Sequence, residues 1–146
     1  MEGVPLKLVV TSLVLALSLP TVYSGLHLYD ALSTENRILR ELERIVIAVK
    51  QVYFGGAGST RTIDVDLSSG MFTLVNSVRI GDKPDGNYSN VIRYSINGQE
   101  NLVVVHDPSV PMISDSGDAL ILPAGKHTLR LMSTMGCSYK VVVSVV

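Results

Sequence analysis

The residues able to do chemistry are few and scattered. His27, His106 and His127 are the three histidines, and they stand far apart with no metal-ligand spacing. "HDPS", His106 to Ser109, sets a histidine beside an acid and a hydroxyl. Neighbouring residues of a strand point to opposite faces, so the run lacks the convergence of a catalytic triad and reads as a loop after a strand. "DSGD", Asp115 to Asp118, has too few ligands for a dedicated calcium loop and reads as a solvated turn. "GGAGS" leads into a strand, whereas a phosphate-cradling loop precedes a helix. Cys137 is the single cysteine, so no internal disulfide forms and a cysteine-based metal site has no partners; a small buried apolar residue is expected there. No catalytic, cofactor or metal residue is expected, and no enzymatic role. One modification is suggested: Asn87-Tyr88-Ser89 is an acceptor sequon for an N-linked glycan, in a loop rich in Gly, Pro and Asp. Tyr88 and Tyr94 beside it are either surface contacts or strand residues.

Since no small set of side chains explains the chain, its elements must. At 146 residues it is one domain with an appendage. Twelve basic residues against 13 acidic ones give no charge basis for nucleic-acid contact. Mean hydropathy is +0.35, high for a soluble domain, with the excess in the first thirty residues and in the terminal "YKVVVSVV".

From Leu8 to Tyr29 no Asp, Glu, Lys or Arg occurs. As a helix this run reaches about 33 Å, against a bilayer core of about 30 Å. Three fates compete for it: a cleaved secretory signal, a membrane anchor, or the permanent core helix of a filament. "MEGVPLK" is hardly basic and the run exceeds an ordinary signal h-region, so a retained helix is expected, with "VYS" before Gly25 as the competing cleavage site. Pro20 removes a backbone donor and predicts a kink or a short melted stretch, with Ser18 and Thr21 near enough to help.

From Asp30 to Phe54 the apolar residues fall at helical spacing: Leu32, Ile38, Leu39, Leu42, Ile45, Val46, Val49 and Val52. Arg37 with Glu41, and Arg40 with Glu43, sit at helical neighbour spacings. "GGAG" follows as a stop. The two segments abut without a linker, so one helix from about Val4 to Tyr53 is expected. It packs its Ile38, Leu42, Ile45 and Val49 side on the rest of the chain.

After Gly58 the period falls to two. "TIDVDL", "MFTLVNSVRI", "VIRYSI", "NLVVVH", "ALIL", "KHTLRLM" and "CSYKVVVSVV" read as about seven strands. Asn97-Gly98 is the strongest hairpin turn, since a type I′ turn needs positive φ at both central residues. The expected fold is α+β: a long N-terminal helix, apolar then amphipathic and kinked near Pro20, over residues 1–54, then an antiparallel β-sandwich head over 55–146. The final strand is apolar on both faces, to be covered either within the molecule or by a neighbouring subunit.

The order of these parts resembles the type IV pilins, particularly archaeal pilins and pilin-like proteins. The resemblance rests on "EGVPLKLVV", on "LSLPTV" with its proline about twenty residues in, and on "VKQVYFGGAGSTRTIDVDLSSG" at the helix-to-head junction. Bacterial pilins usually keep a glutamate where this chain has Pro5, and its only early acid is Glu2, so the likeness is to the archaeal branch. No basic-glycine leader for a prepilin peptidase stands ahead of the apolar run, so either the numbering begins at the mature end or processing differs. The resemblance implies an extracellular homopolymeric filament on the cell surface. Its subunits wait in the cytoplasmic membrane and are polymerised by a pilus assembly machinery. Leu8, Val9, Val10, Leu13, Val14, Leu15, Leu17, Leu19 and Pro20 would line the filament core, and charge reversal at Glu2 or Lys7 should disturb assembly. Two other readings stay open: a monomeric single-pass anchored β-sandwich binding protein, and a secreted domain released near Ser24.

Overall fold

The computed structural model of the chain describes residues 3–83, 86–134 and 141–146. One helix, α1, runs from Gly3 to Phe54. At 1.5 Å per residue its 52 residues reach about 78 Å. The helix is unbroken through Pro20, so the melted stretch expected there is absent. A proline withdraws one donor only, and its leucine-rich flanks favour helix. The Ser18 and Thr21 hydroxyls turn inward, donating to the Leu15 carbonyl at 3.3 Å and the Leu17 carbonyl at 3.1 Å. The helix stops at glycine. The Gly55 N–H returns to the Gln51 carbonyl at 2.9 Å, and Gly56 takes φ +80°, which an L side chain adopts only with strain.

Eight strands follow: β1 Thr60–Asp66, β2 Val75–Ile80, β3 Val91–Ile96, β4 Gln99–Val104, β5 Met112–Ser114, β6 Leu120–Pro123, β7 Lys126–Ser133 and β8 Val141–Val145. They form two four-stranded sheets, ordered β1-β7-β8-β5 and β4-β3-β2-β6. The fold is α+β with a β-sandwich head. The sequence reading needs three corrections. The count is eight, because β5 is only three residues long, too short to show a period. The sheets are antiparallel except where β5 runs parallel to β8. The strand expected over Met71–Ile80 begins only at Val75. Asn97 and Gly98 do take φ +51° and +80° between β3 and β4, as a type I′ turn demands.

The head closes on the helix. Ile38, Leu42, Ile45 and Val49 are fully buried, in one cluster with Leu67, Val78 and Ile80, Leu129 and Leu131, and Val141 and Val143. On the same side Glu35 stands close to Tyr94 of β3; burial first, and that charge second, push the Tyr94 phenol above its ordinary range. Leu32 lies outside the core at 52% exposed, unlike the rest of the apolar stripe. The ion pairs differ from the expected ones as well. Glu41 pairs with Arg44 at 2.8 Å, while Arg37 reaches the β1–β2 loop. In β8, Val141 and Val143 are buried, Val142 is half-buried and Val145 is exposed, so one face of that strand serves the core.

Candidate functional site

Most of the first half of α1 has no cover. Fourteen large apolar side chains between Leu6 and Tyr29 are each 52–73% exposed, Leu8, Val9, Val10, Leu13, Val14, Leu15, Leu17 and Leu19 among them. Pro20 is exposed too. They point to all sides of the helix, forming a sleeve rather than a stripe. Folded monomers rarely leave more than a few hundred Å² of contiguous apolar surface in water. Buried, these side chains would release tens of kcal/mol gross at about 1.5–3 kcal/mol each. Three hydroxyls within the sleeve are spent locally: Thr11 donates to the Lys7 carbonyl at 2.8 Å, as Ser18 and Thr21 do to theirs. By length and composition α1 is long and apolar enough to cross a membrane.

The sleeve ends at a collar absent from the sequence reading, the β1–β2 loop. The Asp30 carboxylate accepts from the Met71 N–H at 2.8 Å and the Phe72 N–H at 2.9 Å. Those N–H groups, Phe72 first, hold its carboxyl below the usual aspartate range. Arg37 donates to the Ser68 and Ser69 carbonyls. Gly70 lies so close that a Cβ there would stand 2.3 Å from Thr34 Oγ1 and 2.6 Å from Asp30 Oδ2. The Phe72 ring stacks on His27 with centroids 4.2 Å apart and meets Tyr23 edge-on at 5.8 Å. His27 Nε2 and the Tyr23 hydroxyl are hydrogen-bonded at 2.9 Å. From behind, the Asn97 side chain of the β3–β4 turn accepts from the Leu74 N–H at 2.8 Å. The sequence offered one signal for this collar: Asp30 is the first charge after 22 uncharged residues.

The other candidate residues stay dispersed. His27 belongs to the collar. His106 lies 3.4 Å from the Asp107 carboxylate in an exposed turn after β4. His127 Nε2 bonds the Pro123 carbonyl at 2.8 Å. His127 also lines an open concavity of about 420 Å³ with Arg44, Asp64, Asp66, Lys126 and Thr128. There Thr128 donates to Asp64 at 2.7 Å, and Asp66 is held by Ser68, whose hydroxyl and N–H lower its pKa. "DSGD" is a turn, with Gly117 at φ +82°. Among the described residues no group of three or more His, Cys, Asp or Glu could hold a metal ion. Asn87 is exposed in a turn before β3; Tyr88, in the same turn, lies under the Arg93 guanidinium at 4.8 Å, whereas Tyr94 is a core residue. Cys137 and Glu2 lie outside the described residues. No protein-family model, curated protein or solved structure matches this chain.

Proposed function

We propose that the chain is the structural subunit of an archaeal type IV pilus-like extracellular filament, inserted first in the cytoplasmic membrane and then polymerised through its N-terminal helix. The exposed sleeve from Leu6 to Tyr29 supports this reading, because it is joined without a break to a head that already has its own core. Lipid covers such a sleeve before assembly, and copies of the same helix cover it afterwards. The heads form the outer wall, and no catalysis is assigned to them. The function is tested by electron microscopy of surface material from cells carrying the native chain or Leu17→Asp. Filaments are expected from the first and none from the second, since a carboxylate in a helical core lacks a partner. Filaments of normal number and width from Leu17→Asp would refute it. A second reading, a monomeric membrane-anchored binding head, is favoured by the match between the uncharged run, about 33 Å as helix, and one bilayer. In that case the native protein is a membrane-bound monomer and no fibres are seen.

A further inference from the structure

We infer that the β1–β2 loop, Ser68–Leu74, is a membrane foot: before assembly it lies in the headgroup layer of the bilayer and seats the head on it. This inference rests on the membrane-inserted stage of the function proposed above. Depth is the first argument. The uncharged stretch ends at Tyr29, yet the Phe72 ring contacts His27 and Tyr23. His27 and Tyr23 precede Asp30 by three and seven residues, so the Phe72 ring lies about 5–10 Å past the boundary of charge, along the part of the helix that enters lipid.

Surface chemistry is the second. Met71 at the loop tip is 85% exposed and Leu74 is 62% exposed. Against Phe72 of the same loop, Tyr23 and His27 each combine an apolar ring with a polar atom, the kind of side chain that settles at a membrane–water interface.

The third argument concerns the backbone. A loop that leaves bulk water needs internal partners for its N–H groups. Here the Ser68 N–H bonds to Asp66, that of Gly70 to the Thr73 carbonyl, those of Met71 and Phe72 to Asp30, and that of Leu74 to Asn97. Val75, the next residue, donates to the Ser69 hydroxyl. An ordinary surface loop leaves such donors to water. This one combines bonded N–H groups at Ser68, Gly70, Met71, Phe72 and Leu74 with exposed apolar tips, and it is held to the helix at Asp30 and Arg37. A bilayer surface continuous with the lipid around residues 8–29 suits it.

The chain contains no tryptophan, so a single introduced one reports its own depth. Leu15→Trp, Met71→Trp and Ile121→Trp are placed in the full-length chain and reconstituted in phosphatidylcholine vesicles. Quenching is compared for lipids brominated near the headgroup and near the chain ends. Met71→Trp is expected to lose most of its emission to the shallow bromines and little to the deep ones. Leu15→Trp should respond to the deep bromines, and Ile121→Trp, exposed on β6 opposite Arg79 and so away from the loop end of β2, to neither. If Leu15→Trp is quenched while Met71→Trp is not, the foot is refuted and the membrane helix stands. If neither is quenched, the membrane-inserted stage fails and the foot with it. Adding Asp30→Asn to Met71→Trp should weaken the shallow quenching; unchanged quenching would overturn the role of Asp30 in placing the loop.

Discussion

The two halves of α1 share one backbone conformation and differ in what covers them. From Leu6 to Tyr29 every large apolar side chain is more than half exposed, whereas Ile38, Leu42, Ile45 and Val49 are fully buried. The second half packs on β1, β7 and β8 of its own chain, whereas the first half meets that chain where Phe72 touches Tyr23 and His27. Helical hydrophobicity alone therefore does not say where a helix ends up; the arrangement of its polar residues does. A stripe interrupted by charge fits a domain core, and a sleeve without charge requires a partner made of lipid or of other helices. The collar at Asp30 marks the change.

The largest effects should come from treating the halves alike. Leu42→Ala is expected to destabilise the head by about 2–5 kcal/mol, through lost burial and the cavity left behind. Leu17→Ala should leave the denaturation midpoint of the head unchanged within about 0.5 kcal/mol, as an exposed substitution does. Chemical denaturation in detergent compares the two. Equal effects would mean that the sleeve belongs to the head core.

Gly70→Ala sharpens the boundary between the halves. The added methyl would meet Thr34 and the Asp30 carboxylate, and overpacking of this kind costs about 1–3 kcal/mol. Hydrogen exchange should show faster exchange at Met71 and Phe72 and native protection at Leu129 and Leu131. Loss of protection throughout would tie the collar to the core. Gly98→Ala belongs wholly to the head. With φ +80° in the β3–β4 turn it should cost about 1 kcal/mol in the same denaturation assay and leave membrane insertion unaltered.

The smallest effect is that of acid on the collar. The Asp30 carboxyl is lowered below 3.8 in the folded chain, so its contribution is complete above the unfolded value and is lost as the pH falls through the folded one. Asp66, at the end of β1, is lowered too, chiefly by Ser68, and acts in the same direction. The backbone amide signals of Met71 and Phe72, whose N–H groups donate to Asp30, should shift in a step below about pH 4. Asp30→Asn should remove most of that dependence; an unchanged acid profile would show that Asp30 does not hold the loop.

Much of this was legible in the residues, and the exceptions have a common cause. The helix showed in its long periodic run, and the hairpin at Asn97-Gly98 showed because few residue pairs tolerate two positive φ values. Strand β5 escaped because three residues between prolines and a turn have no period to read. "MFTL" looked like strand because its residues favour extended structure. A carboxylate some forty positions earlier takes its N–H groups instead. That pairing depends on the folded proximity of Asp30 and leaves no local mark, and the partnership of His27, Tyr23 and Phe72 was hidden for the same reason.

The central claim is that the uncovered half of α1 finds its lasting cover in copies of itself. Electron cryomicroscopy of native surface material tests it most directly. The account predicts fibres whose axis is filled by rods of density fitting residues 5–29, packed side by side, with the β heads outside. Fibres lacking such central rods, or native protein found only as single helices each surrounded by lipid, would contradict it.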